Sequence, residues 1–464
     1  MNCVIGLDIG TTVMKCCILS QEGEIVVSDN LNNHYKRRAG DIVEFNAEER
    51  YDDICKLIQS VVAQKPKNSV IAGLCIAGAS GNALLLDAEK KPLMNAVSWL
   101  DQRAASVYSG LIPFSADEVF NICGWPLIGS FPLSFFAWMK ENETDIYNTA
   151  GYYATDFVYY NHRLTGNWVI DASTATNFYL ADQANQKYHQ PFLDFLSIDK
   201  HNLPELINSG TIIGCITAAA SEKTLLPEGT PVIAGSFDHP AAARGAGILE
   251  SGDILLSCGT SWVLFFPIND RKKAIKNGML VDPFLHPSGP WGAMASFTAI
   301  GITIDEYLNL LFNNDPNRFA KFDEAVIDSF NAEGACDFDL LQRNIAPELY
   351  VKNLLEVHSL SSVCRAIMEN MATLLCQKIS LLKQEGFEPQ KFLMTGGFSK
   401  SRIWPRVLAN SLSLPVQLVT DISTGCVGAC ILAGMGIGWW ENEKEGFNRL
   451  KIRVKTVLPQ KTKI

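Results

Sequence analysis

Apolar and polar positions alternate in blocks over the first thirty residues: CVIGLDI, VMKCCILS and EIVV are apolar runs, and GTT and QEG separate them. Runs of this length bounded by glycine and polar turn residues predict a strand, tight turn, strand, turn, strand meander. The period then changes. From Ala47 onward, Tyr51, Ile54, Leu57, Ile58 and Val61 fall three and four apart, the stripe of an amphipathic helix. SVIAGLCIAG follows as a buried strand. Further along, Pro231 to Gly235 reads as an apolar strand leading into an Ala-rich helical run. Val363, Ile367, Met371, Leu374, Leu375, Ile379 and Leu382 mark one helical face between Ser361 and Lys383, and FLMTGG after them reads as a strand with a glycine turn. Strand and helix signals alternate to the end, so the expected class is α/β, with helices covering sheets.

One pattern occurs twice. GLDIGTTVMKCCIL near the start and ILLSCGTSWVLFF around Gly259 are each an apolar strand, a Gly-Thr-Thr/Ser turn and a second apolar strand. Two domains of related design are one reading, the first ending near Gly247; GT pairs in ordinary hairpin turns are the other. The polar, basic tail from Glu441 to Ile464 is expected to be a surface extension.

Composition narrows the class. The 464 residues allow roughly three domains, or two larger ones. With 47% hydrophobic and 19% charged residues, neither a disordered chain nor a coiled coil is expected. A net charge of -10 repels phosphate backbones unless a local basic patch overrides it, so nucleic acid is not expected as a partner. The 13 cysteines are scattered through apolar stretches without a CxxC pair, which suits reduced thiols in a cytoplasmic protein. Cys426 and Cys430 can share a helix face, but no histidine or second cysteine pair accompanies them for zinc. The N-terminus lacks the basic region of a signal peptide, Asp8 interrupts its apolar run, and no stretch approaches the ~18 apolar residues of a membrane span.

The chemistry has to come from the turns. There is no GxxxxGK[ST] and no strand-linked GxGxxG, so P-loop and dinucleotide fingerprints are missing; GMGIG at Gly434 reads as a helix-ending turn. In the Asp8, Gly10, Thr11, Thr12 turn, backbone N–H groups and two hydroxyls can cradle a polyphosphate, and the carboxylate can hold the water shell of Mg²⁺. Lys15 adds positive charge to the same hairpin. Gly259-Thr260-Ser261 is a second such turn, expected to face the first, and Gly396-Gly397 lies beyond a third strand; together they point to ATP. Asp238, between an apolar strand and a helical run, is a candidate general base or a helix N-cap. Trp99-Leu100-Asp101-Gln102-Arg103 offers an aromatic face, a carboxylate and a guanidinium that can hold a polyhydroxylated ligand, with a surface ion pair as the plainer alternative. In an extended segment Asp101 and Arg103 share one face.

GLDIGTT, WLDQR, FDHPAAA, CGTS and TGGFSKSRIWPRVLANSLSLPV, in that order, resemble the FGGY family of carbohydrate kinases from about Ile5 to Gly438. SFPLSFFAWMKEN, RLTGNWVIDASTAT and RAIMEN resemble further family segments. The resemblance implies two domains of the duplicated actin-like, ribonuclease-H-like ATPase fold with a cleft between them: 1–247 on the sugar side, 248–440 on the nucleotide side, and 441–464 as an extension. It makes Asp238 the general base and Asp8 the residue near Mg²⁺. Gly10, Thr11, Thr12, Lys15, Gly259 and Thr260 would serve the phosphates, Gly396, Gly397 and Ser401 the adenosine, and Trp99, Asp101 and Arg103 the substrate.

Departures from the pattern are visible. Phe135 stands where the first signature has Lys, and Phe398 replaces the third glycine of the adenosine turn. Ser80 and Gly81 occupy the place of the Met-His pair of xylulokinase-like members, which implies a roomier pocket or sugar contacts from elsewhere, such as His239. The implied function is ATP- and Mg²⁺-dependent phosphorylation of a hydroxyl of a small sugar, ketose or polyol, by a cytoplasmic protein without membrane or nucleic-acid partners and with a homodimer as a possible assembly. The rival readings are a non-catalytic actin-like nucleotide-binding protein, which needs no WLDQR, and a dehydrogenase, which lacks its fingerprint.

Overall fold

The computed structural model describes residues 1–38, 42–105, 108–285, 289–329, 336–342, 344–420 and 422–460. Its contacts divide the chain into two compact units. The first comprises Met1–Leu249, Asn269–Gly292 and Ile422–Ile452, and the second Glu250–Ile268, Ala293–Asp421 and Arg453–Ile464.

The predicted meander opens the first unit as β1 (Asn2–Ile9), β2 (Val13–Ser20) and β3 (Ile25–Asn32), paired antiparallel in sequence. Helix Ala47–Gln64 follows. Asn46 starts it by accepting hydrogen bonds from the amides of Glu48 and Glu49, which serves donors that a first helical turn leaves unpaired. Its stripe from Tyr51 to Val61 is buried. The chain returns as β4 (Val70–Gly78), parallel to β1, and later adds β5 (Ile212–Cys215) and β6 (Pro231–Ile233). The sheet order is β5-β6-β4-β1-β2-β3, with β6 parallel to β4 and β5 antiparallel at the edge. Helices cover β1 from residues distant in sequence, so Cys3, Val4, Ile5 and Leu7 are buried in succession, the run of a strand covered on both faces.

The second unit repeats the plan with β7 (Asp253–Cys258), β8 (Trp262–Ile268), β9 (Trp291–Phe297), β10 (Lys391–Gly396), β11 (Val416–Val419) and β12 (Val454–Val457). The order is β9-β8-β7-β10-β11-β12, with β7 antiparallel to β8 and parallel to β10. In both units a first strand makes a hairpin on one side and a parallel pair on the other, so the echo in the sequence is one topology used twice. Helix Leu360–Gln384 lies in this unit with Val363, Ile367, Met371, Leu375, Ile379 and Leu382 buried.

Two expectations change. The units part near Gly247, but the chain does not divide into 1–247 and 248–440, because 269–292 and helix Thr424–Gly436 belong to the first unit. That helix is buried on every side from Gly425 to Gly434 and packs on β1, β2 and β4; its Gly, Ala and Cys side chains permit the close approach. The tail is mostly exposed between 441 and 460, as a surface extension would be, but it is joined to the fold. Trp440 is buried against Gly434 and Gly446, and Val454–Val457 pairs antiparallel with β11. The GMGIG segment ends the Thr424–Gly436 helix, as expected.

Candidate active site

In the first unit β1, β4 and β6 run parallel. Ile9 pairs with Gly78, and Gly78 bridges to Phe237 just beyond β6. Gly10–Thr12, Ser80–Gly81 and Asp238 therefore emerge at one edge of one sheet, the carboxyl ends of its parallel strands, where open α/β sheets bind ligands. Phe237, not Asp238, is the N-cap of helix Asp238–Gly245, at φ -55° and ψ 153°; Asp238 is the first helical residue. Its Oδ1 accepts the amide of His239 at 2.7 Å, Oδ2 has no hydrogen-bond partner among the described residues, and the side chain is 28% exposed. The carboxylate thus keeps the capacity to accept a proton. The His239 ring stands edge-on to Phe237, with centroids 5.5 Å apart.

Asp8 lies in β1 opposite Lys15. Ser423 donates to its Oδ2 at 3.4 Å. At Gly425, in the first turn of the helix that covers β1, a Cβ would overlap the Asp8 carboxyl group, so only glycine lets the helix approach this closely. Burial, opposed by Lys15 and helped by the charge of Asp238, pushes the Asp8 carboxyl up to about 6. A divalent cation fits such a site, because it supplies the positive charge that burial withholds. Among the described residues no three His, Cys, Asp or Glu side chains cluster for a metal, so a cation here would rest on one or two carboxylates and on phosphate oxygens. Thr11 accepts a hydrogen bond from Trp99 Nε1 at 3.3 Å, which brings the WLDQR segment to the Gly10 turn. Gly10 O accepts from Asn33 Nδ2 at 2.5 Å, and Thr12 and Lys15 are exposed.

Beyond the end of β4, Ser80 is buried and its hydroxyl has no partner among the described residues. Gly81 is left-handed at φ 96° and the Phe131 ring occupies the space its Cβ would take. The missing side chain therefore makes room for an aromatic ring instead of a larger pocket. Phe131 contacts Trp125 (centroids 5.8 Å apart), and Trp125 contacts Phe237 (5.7 Å), so a line of rings runs from Gly81 to the residue before Asp238.

WLDQR is not extended: the Asp101 amide closes a turn on Ser98 O at 2.9 Å. Asp101 accepts from the Val43 amide at 2.8 Å and from the Arg103 side chain at 2.9 and 2.8 Å, while Arg103 also reaches Glu44 at 2.6 Å. Burial pushes the Glu44 carboxyl up, yet the hydrogen bonds from Arg103 and Asn95 outweigh it and leave the group below its usual range. Asp101 and Arg103 thus grip each other and a neighbouring strand. Phe135, standing where a family Lys was expected, is buried and stacks with Trp138 (centroids 5.9 Å apart) under the Arg103 guanidinium.

In the second unit β7 and β10 end together, Cys258 pairing with Gly396. Gly259, Thr260, Gly396 and Gly397 are exposed there, with open space beside Gly397. Thr260 O accepts the Gly301 amide at 3.0 Å, leaving its side chain outward. Ser401 is turned toward the protein: it donates to Asp323 at 2.8 Å and accepts the Ile403 and Trp404 amides at 3.1 and 3.0 Å. Its hydroxyl holds the start of helix Trp404–Leu412. The Phe398 ring packs on Trp262 (5.0 Å) and Phe319 (5.7 Å).

The N-terminal domain model of the FGGY family of carbohydrate kinases matches residues 3–245, and the C-terminal domain model residues 254–437. The chain belongs to the FGGY family. It is 24% identical over 457 residues to a xylulose kinase of Bacillus subtilis, covering 96% of this chain and 90% of that protein. It is 24% identical over 478 residues to an L-fuculokinase of Salmonella typhi, covering 98% and 97%. The crystal structure of xylulose kinase from Rhodospirillum rubrum superposes with a TM-score of 0.87 at 21% identity, over 99% of this chain and 94% of that one. The protein is a carbohydrate kinase that phosphorylates a hydroxyl of a sugar or polyol with ATP, as the family does with a divalent metal.

Sequence motifs of this kinase did not reveal Ser423 and Gly425 beside Asp8, the Phe131 and Trp125 rings, or the buried pair Ser173 and Asp282 behind Phe237. The small-residue run TGCVGAC was the available signal for the first two; the others depend on which segments meet.

Proposed function

We propose that the first unit binds the acceptor sugar and activates its hydroxyl, with Asp238 as general base, and that the second unit takes the nucleotide through Gly259, Thr260, Gly396 and Gly397. The observation that carries this reading is the Asp238 carboxylate, half of it free, at a strand end shared with the Asp8 turn. In phosphoryl transfer the protein mainly aligns the hydroxyl and stabilises charge. Asp238 takes the hydroxyl proton as attack begins, and N–H groups of the glycine turns face phosphate oxygens. Asp8 would hold magnesium, which when bound neutralises charge on the transferring phosphoryl group. Ser80, His239, Trp99 and the Phe131–Trp125 rings would contact the sugar, with Asp101 and Arg103 fixing the segment that carries Trp99. The free thiols suit a reducing cytoplasm. No helix among the described residues is long and apolar enough to cross a membrane. A coupled ADP-release screen across pentuloses, hexuloses, tetroses, polyols and sugar acids tests the reading. One acceptor class should raise ADP release with stoichiometric sugar phosphate; ADP release that no acceptor stimulates would overturn it.

A further inference from the structure

Asp238 is aimed by the peptide before it, and that peptide is held from three sides. Ser236 O accepts the Gly78 amide at 3.3 Å, tying it to the end of β4. Ser236 Oγ accepts from Arg244 at 3.2 Å; Arg244 is fully buried and also donates to Phe284 O. On the third side the Phe237 amide donates to Ser173 Oγ at 3.1 Å, and Ser173 Oγ donates to Asp282 Oδ2 at 2.7 Å. A hydroxyl has one proton. Spent on the Oδ2 oxygen of Asp282, it leaves the lone pairs of Ser173 facing Phe237. Ser173 and Asp282 are both 0% exposed, and Asp282 Oδ1 has no hydrogen-bond partner among the described residues. An orphaned buried acceptor is costly, so this carboxylate is poorly accounted for by stability.

We propose that Ser173 and Asp282 are positioning residues for Asp238, Asp282 orienting the Ser173 hydroxyl so that it locks the Phe237 peptide and thereby the direction of the base. The pair rests on the reading of Asp238 as base. Burial, helped by the charges of Asp171 and Asp238 and opposed by Ser173 and Arg244, pushes the Asp282 carboxyl up to about 7. The folded protein therefore holds a proton that the unfolded chain releases near 3.8. The stability this carboxyl contributes is intact below that value and is lost as pH rises through about 7.

The test compares Ser173→Ala, Asp282→Asn and the double variant by steady-state kinetics and melting temperature. Ser173→Ala should lower kcat by roughly 10- to 100-fold, the scale of a misaligned catalytic group, with sugar KM changed less than about 2-fold. Asp282→Asn should lower kcat by about 3- to 10-fold, with melting temperature raised at pH 8 and the gain shrinking toward pH 5. Because Asp282 acts through Ser173, the double variant should be about as slow as Ser173→Ala, within roughly 2-fold, as residues acting as one unit are non-additive. Wild-type kcat in Ser173→Ala, or losses that multiply in the double variant, would overturn the pair. If Ser173→Ala does not fold, Asp282→Asn decides: more stable but slower supports the proposal, and unchanged kcat overturns it. Should Asp238→Asn itself turn over normally, the base assignment fails; normal turnover in the Ser173 and Asp282 variants alone removes only their role.

Discussion

Two residues before the turn glycine of β1 stands Asp8, opposite Lys15; at the matching place in β7 stands Ser257, opposite Val263. The strands around both turns pair alike, antiparallel on one side and parallel on the other. The strand ends differ in chemistry. Those of the first unit carry the carboxylates Asp8 and Asp238, whereas those of the second carry glycines and Thr260. A duplicated scaffold repeats the pairing pattern because backbone hydrogen bonds and an apolar core set it, while the residues just past each strand end are free to diverge. Under the proposed function, one copy supplies charge and proton chemistry and the other supplies backbone donors for phosphate and nucleotide.

Asp238→Asn should strike the charged copy hardest, lowering kcat by about 10²- to 10⁴-fold, the usual contribution of a general base, with ATP binding preserved in titration calorimetry. Wild-type turnover would remove the base from the first unit. Asp8→Ala should reduce kcat/KM for Mg-ATP by about 10²-fold, on the scale of losing one charge-stabilising group, and should raise the magnesium concentration needed for half-maximal rate. An isolated rise in sugar KM would instead move Asp8 to the substrate. Arg103→Ala separates scaffold from chemistry within the same unit: with the buried Asp101 and Glu44 left unpaired, thermal unfolding should show a loss of about 2–3 kcal/mol, below the roughly 3–5 of a fully buried pair because Arg103 keeps some exposure. Sugar KM should rise only modestly, through the loosened segment that carries Trp99. A large KM increase at unchanged melting temperature would make Arg103 a sugar ligand. The smallest effect belongs to the uncharged copy, where Thr260→Val deletes one hydroxyl and should weaken ATP binding by about 1 kcal/mol, near 5-fold. An equal effect on sugar KM would break the division between the units.

Much of this was readable from local pattern. The meander, the Ala47–Gln64 and Leu360–Gln384 helices, both hairpin turns and the strand-end place of Asp238 follow from periodicity and turn chemistry, which act over neighbouring residues. Motif order added the family. The inward clasp of Asp101 and Arg103 was missed because its partners are remote: the Val43 amide and the Glu44 carboxylate that hold the segment lie nearly sixty residues earlier. The partners of Ser401 were hidden for a related reason, since its hydroxyl serves Asp323, from another segment of the fold, and two amides at the start of the helix that follows. The tail looked polar and therefore peripheral, yet strand pairing at Val454–Val457 uses backbone groups that side-chain polarity does not report.

Local sequence thus determined which segments become strands, helices and turns, and which residue types stand at the strand ends, because those depend on spacing and backbone preference. Tertiary structure alone decided which of those residues face one another. The close approach of Gly425 to Asp8, the Phe131 ring beside Gly81 and the Asp282–Ser173–Phe237 chain each join segments separated by dozens to hundreds of residues. Contacts of that kind are set by how sheets and helices pack, and no periodicity along the chain encodes them.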